Sequence, residues 1–200
     1  MKIYDITQEL FSGQVYPGDL PPSLDRVSDM TQGSLYNLTN LTLGAHNATH
    51  VDAPFHFYEK GRTIEQLEMT RCIGDCTVAE LDGLNSYGLR ERLKTCQKRL
   101  LIKGKTEITL EMAKLMNEYE ILLVGVETQS VGPEGAPLEV HLELLGKEVV
   151  LLEGIRLDDV TLGDYFLFAA PIKLGGCDGA PCRAILLEGD ETDSCIYNVK

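Results

Sequence analysis

The chain has 200 residues, of which 44% are hydrophobic and 24% charged, and its formal net charge is −13. This length suits one domain with a full core, or at most two small ones, in an ordinary soluble globular protein. The acidic balance excludes nucleic acid and an anionic membrane surface as expected partners, since both need a basic face. It leaves a small-molecule substrate open.

Met1-Lys2-Ile3-Tyr4-Asp5 lacks the apolar core of a signal peptide, and no run approaches the ~18 apolar residues of a membrane span. The expectation is a cytoplasmic protein with reduced thiols. Six cysteines are too few for a disulfide scaffold in a chain of this length. Cys72 and Cys76, like Cys177 and Cys182, miss the two-residue gap of a zinc knuckle and read as buried or loop thiols.

In chain order, Lys2 to Ile6 is a short β-like start. Residues 11 to 34 are rich in Gly, Pro, Ser and Asp and read as one long loop, with Tyr16-Pro17-Gly18-Asp19 and Pro21-Pro22 as turn formers. Taken alone, Tyr16 is either a lid residue over a site or, the reading this stretch favours, an aromatic that packs the loop onto the body. Leu35 to Ala45 alternates as a strand does and runs straight into His46. Thr77 to Leu81 is a second short strand, closed by a turn at Asp82-Gly83. Tyr87 to Lys94 reads as a helix and Arg99 to Ile102 as a strand. Thr109 can cap a helix over Leu110 to Tyr119. Ile121 to Val126 is a continuous apolar run of strand length, hence a buried strand. Pro137 opens a helix that carries His141 and stops at Gly146. Val149 to Leu152 is another buried strand and delivers Glu153. Tyr165 to Ala170 and Ala184 to Leu187 complete the strands, with Gly175 to Pro181 a plain loop between them. Helices interleave with strands, so the class is α/β, and no repeat or linker divides the chain into more than one domain (1–200).

Three of the four histidines fall within twelve residues, His46 to Phe57, together with Asp52. His46, His50, Asp52 and His56 offer first-row metal ligands plus one spare base. On a straight strand these even-numbered positions share a face, yet residues four apart lie ~13 Å from each other, too far to share one ion. Pro54 and the β-branched Thr49 and Val51 oppose a regular helix. The backbone is therefore expected to bend at Asn47-Ala48 and at Ala53-Pro54.

The same stretch, His46-Asn47-Ala48-Thr49-His50-Val51-Asp52-Ala53-Pro54-Phe55-His56, resembles the His-x-Gly-Thr-His-x-Asp-x-Pro-x-His signature of the cyclase family of metal-dependent hydrolases. Supporting matches are Ile3-Tyr4-Asp5-Ile6, Tyr16-Pro17-Gly18-Asp19, Val124-Gly125-Val126-Glu127 with Ser130, and Asp178-Gly179-Ala180-Pro181-Cys182-Arg183-Ala184. The resemblance implies a swivelling β/β/α fold with a barrel-like mixed sheet and flanking helices. It implies that His46, His50 and Asp52 bind metal, with Asp52 bridging two ions, and that His141 and Glu153 complete the second position. His56 becomes the proton shuttle, and Tyr16 lines the substrate pocket. Zinc is the implied cofactor, one or two ions per chain, with manganese an alternative, and a homodimer or larger homo-oligomer is the implied assembly. The implied activity is arylformamidase-type hydrolysis of a small amide by metal-activated water, as in N-formylkynurenine giving kynurenine and formate. Hydrolysis of a cyclic amide such as isatin or of a lactone, and a non-catalytic metal-binding role, are the competing readings. Two departures bear on this. Ala48 stands for the signature glycine and carries strain if that position needs a positive φ. Tyr16 stands where formamidases of the family usually show tryptophan, which bears on the aromatic substrate more than on the chemistry.

Overall fold

The computed structural model describes residues 1–133 and 135–189. Its strands are β1 (Lys2–Asp5), β2 (Ser23–Ser28), β3 (Leu38–Thr42), β4 (His50–Asp52), β5 (Ile73–Ala79), β6 (Arg99–Ile102), β7 (Leu123–Val126), β8 (Val150–Glu153), β9 (Gly163–Phe168), β10 (Gly179–Pro181) and β11 (Ile185–Glu188). Its helices are α1 (Met69–Cys72), α2 (Ser86–Thr95), α3 (Leu110–Glu118) and α4 (Leu138–Leu145). Nine strands form one curled mixed sheet in the order β1-β11-β9-β5-β6-β7-β8-β4-β10, while β2 and β3 form a separate ribbon.

At the centre, β5, β6, β7 and β8 run parallel. Both faces of such a sheet are covered, which is why β7 and β8 are continuous apolar runs. Along β8, Val150 and Leu152 pack into one core while Leu151 packs into the other. The second core is closed by α2, α3 and α4 through Leu89, Leu93, Ala113, Met116, Val140 and Leu144. The α3 start is capped as expected: the Thr109 hydroxyl accepts from the Met112 amide at 3.2 Å.

Four expectations need correction. The supposed loop over residues 11–34 contains β2, which pairs antiparallel with β3 through Leu24↔Leu41. Its Gly and Pro content flanks the strand rather than filling it, and Leu24 and Val27, three residues apart, give no period-2 alternation to announce it. The strand read over Leu35 to Ala45 is confined to Leu38–Thr42, and the one read from Thr77 begins earlier, at Ile73. The loop over Gly175 to Pro181 ends in β10, because pairing with β4 overrides local turn propensity.

Candidate metal centre

The seam between β4 and β8 builds the site. These strands pair antiparallel with His50 opposite Glu153 and Asp52 opposite Leu151. His50 and Glu153 thus leave the sheet side by side, and Asp52, two residues on, leaves the same face. The chain bends at both expected places. Ala48 adopts φ 55°, a left-handed conformation, before β4, and Pro54–His56 forms a 3₁₀ turn after it. The Ala48 turn aims its carbonyl at His50 Nδ1, 3.0 Å away. From the other side, α4 presents His141 beside the buried Val140 and Leu144.

His50, Asp52, His141 and Glu153 are all at most 3% exposed. His50 Nε2 lies 3.3 Å from Asp52 Oδ1 and 3.3 Å from Glu153 Oε2. His141 Nε2 lies 3.4 Å from Glu153 Oε1 and 3.8 Å from Asp52 Oδ2. A carbonyl oxygen can only accept, so the contacts of His50 Nδ1 with Ala48 and of His141 Nδ1 with Pro137, at 2.8 Å, place the proton on Nδ1 in both rings. Each Nε2 is left aimed at the two carboxylates. The Val131 amide donates to Glu153 Oε1 at 2.8 Å and fixes that side chain.

His46 and His56 lie at the mouth. His46 Nδ1 contacts Asp52 Oδ1 at 2.8 Å, and His46 Nε2 contacts Asp178 Oδ2 at 2.8 Å. The same Asp178 oxygen is 3.2 Å from His56 Nδ1. The structure therefore brings together His46, His50, Asp52 and His56 of the motif, His141 of α4 and Glu153 of β8, all singled out in the sequence. It also adds Asp178, which the sequence offers as the first residue of a family-matching loop but with no role of its own. Its position just before β10, with its carbonyl accepting the Ala53 amide at 2.8 Å, is what carries it to the site. No local spacing announces this. Tyr16 stands apart from the polar cluster and lines a neighbouring cavity.

The electrostatics follow from burial opposed by carboxylates. Burial works against a charge on His50, but Asp52 and Glu153 outweigh it and raise its pKa from 6.5 to about 10. Burial likewise opposes charge on His46, and hydrogen bonds with Asp178 and Asp52 raise it to about 9. His141 is raised as well, against its burial, chiefly by Glu153. Burial would push Asp52 up, yet the imidazoles of His46 and His50 hold it well below the usual carboxylate range. Asp178 is held low by His46 and His56.

Whether these residues suit a cation can be tested on their own geometry. His50 Nε2 and Asp52 Oδ2 are buried without a hydrogen-bond partner. Two such orphans in one buried site would be costly unless something satisfies both. Two donor triads, His50–Asp52–Glu153 and His46–Asp52–His56, each have ligand atoms within 4.8 Å of one another, and Asp52 belongs to both. Imidazoles locked by Nδ1–H to a carbonyl, with Nε2 converging on carboxylates, are the outer-shell pattern of metal-ligating histidine. The residues fit a divalent cation.

Comparison with known proteins agrees. The family described as "Putative cyclase" matches residues 4–101. The kynurenine formamidase of Bacillus anthracis is 32% identical over 202 residues, covering 92% of this chain and 97% of that protein. That of Bacillus thuringiensis (strain Al Hakam) is 32% identical over 199 residues, covering 91% and 95%. The chain belongs to the cyclase family of metal-dependent hydrolases. Among solved structures, a potential metal-dependent hydrolase with cyclase activity superimposes with a TM-score of 0.79 at 25% identity, over 94% of this chain and 98% of that one. An isatin hydrolase bound to the product analogue thioisatinate superimposes at 0.78 with 18% identity, over 94% and 93%, and shares the cyclase fold. Among the described residues no helix is long and apolar enough to cross a membrane.

Proposed function

We propose that this cyclase-family chain is an arylformamidase-type amide hydrolase, converting N-formylkynurenine to kynurenine and formate. The observation that carries the reading is the pair of buried imidazoles, His50 and His141, whose Nε2 atoms converge on Asp52 and Glu153 while their Nδ1 atoms are tied to carbonyls. Identity of 32% to kynurenine formamidases over nearly the full length supports the substrate class.

In this reading His46, His50 and Asp52, with His141 and Glu153, would hold one or two cations. Zinc is the proposed ion, with manganese an alternative. Such a cation supplies Lewis acidity, bringing the pKa of water toward ~7 and polarising a carbonyl oxygen. The protein's own residues do the rest. Burial of the β4–β8 seam keeps bulk water out, so charge interactions there are stronger than at the surface. Asp178 accepts from His56 Nδ1, which orients the ring and leaves its Nε2 free to carry a proton to the departing nitrogen. Tyr16 lines the cavity in which the substrate would sit. A cytoplasmic setting fits the buried free thiols of Cys72, Cys76 and Cys182. A homodimer or larger homo-oligomer fits the exposed apolar ribbon of β2 and β3, where Leu24, Leu38 and Leu41 all face solvent.

The test is a hydrolysis panel of N-formylkynurenine, isatin and small lactones, run on protein loaded with zinc or manganese and on chelated protein. Cation-dependent release of formate from N-formylkynurenine, faster than opening of isatin, is the expected result. Opening of isatin alone would transfer the assignment to cyclic amides.

A further inference from the structure

A cavity of about 800 Å³ lies at the carboxyl ends of the parallel strands β6, β7 and β8. This is the position where open α/β sheets take ligands, and the volume suits a small molecule. Its walls are the segments that follow those strands (104–107, 127–132 and Arg156 to Asp158), closed by Gln14 to Pro17. Glu127 staples the walls together. Its Oε2 accepts from the Gly104 amide at 2.7 Å and its Oε1 from the Leu157 amide at 2.9 Å. The shape is therefore fixed before anything enters.

Two features of the lining ask for a ligand. Arg156 is half-buried in a chain of net charge −13, yet among the described residues its guanidinium has no carboxylate within ion-pair distance. Neighbouring Lys103, by contrast, has its ammonium on the Val160 carbonyl at 2.6 Å. Gln129, independently, holds both its amide nitrogen and its amide oxygen buried without a partner, so turning that amide toward a ligand gives up no hydrogen bond. Lys105 adds a second cation to the lining, and Glu107, Glu127 and Asp158 add three anions. A dianion such as phosphate would be repelled by that mixture. A single carboxylate beside an ammonium matches it, because a guanidinium binds carboxylate with two parallel hydrogen bonds. The wall continues into the metal centre: Ser130 lines the cavity, and the next residue, Val131, holds Glu153.

We propose that this cavity docks an amino-acid head group of the substrate, with its carboxylate on Arg156 and Lys105 and its ammonium against Glu107 and Asp158. Arg156 is then a specificity-determining residue. This rests on the amide-hydrolase reading above.

The experiment compares N-formylkynurenine with its methyl ester, which keeps the formamide and loses the carboxylate. The cation-loaded wild-type protein is expected to prefer the free acid by about 10–100-fold in kcat/KM, carried by KM. In Arg156→Gln that preference should fall to within about threefold, and Arg156→Lys should restore part of it. A preference that survives Arg156→Gln, or a wild-type protein that has none, overturns the proposal. If the wild type hydrolyses neither compound, the formamidase reading fails by itself. The head-group site is then read by calorimetric titration with kynurenine and its methyl ester. Tighter binding of kynurenine that Arg156→Gln abolishes upholds the site, and equal binding of the two overturns it.

Discussion

At the β4–β8 seam polar groups are buried, with Asp52 wholly inaccessible to solvent; on the β2–β3 ribbon apolar groups are exposed, with the adjoining Leu35 at 93%. Each region inverts the usual distribution, and for a different reason. The seam holds charged side chains that converge and leave two donor-acceptor atoms without partners. A cation at its centre would satisfy both atoms. The ribbon holds Leu24 opposite Leu41, and a two-stranded sheet by itself is marginal in water. A covering surface would stabilise it. An ion would complete the one region, and a neighbouring molecule would cover the other.

The largest effect is expected at the seam. His50→Ala removes one Nε2 and leaves Asp52 and Glu153 facing each other, so the purified variant should carry little cation and lose about 10³-fold or more in kcat/KM. Metal analysis beside the hydrolysis assay checks this, and full retention of both would remove the ligand role of His50. His56→Ala should keep its cation and lose about 10²–10⁴-fold in rate. Loss of the cation as well would move His56 from the proton shuttle into the His46–Asp52–His56 ligand triad.

The sheet under the seam should respond to alkali. Burial pushes the thiols of Cys72, Cys76 and Cys182 from 9.0 to about 11, 12 and 12. Above pH 9 the unfolded chain has lost these protons and the folded one has kept them. Folded protein therefore binds more protons, and stability falls as pH rises. By pH 10 the loss should be about 1 kcal/mol per thiol, read from urea melts at pH 8 and pH 10. A flat profile would show that these thiols are not sealed in. Gly154 presses closer to the centre. It sits at φ +69°, and a Cβ there would meet the Ala48 carbonyl oxygen at 2.5 Å. Gly154→Ala should cost about 1–3 kcal/mol and displace the carbonyl that holds His50. An unchanged melting temperature would show that the seam tolerates movement. The smallest change in stability is expected on the ribbon. Leu24→Ser with Leu41→Ser should leave the monomer within about 0.5 kcal/mol and convert the assembly to monomers by light scattering. A wild type that is already monomeric would end the homo-oligomer reading.

The two regions were also unequally legible in the sequence. The seam could be read because its residue types are rare: three histidines and an aspartate in one short stretch point to chemistry before any fold is known. The bends at Ala48 and Pro54 followed from the distance between strand positions, and the helix carrying His141 followed from Pro137 and Gly146. Asp178 could not be placed, because β10 owes its existence to pairing with β4, which local sequence does not encode. The ribbon was missed for a related reason. Pro and Gly before Ser23–Ser28 and Gly33 after it mark turns, the strand itself lacks a period-2 pattern, and its partner strand lies ten residues on.

The account turns on a cation at Asp52. Its most direct test is elemental analysis of tag-free protein, wild type beside Asp52→Asn, after equilibration with zinc and desalting. About one or two equivalents of zinc per wild-type chain, with at most a small fraction of that in the variant, is the predicted result. Wild-type protein that emerges without bound metal, or an Asp52→Asn variant that holds it equally well, would contradict the account.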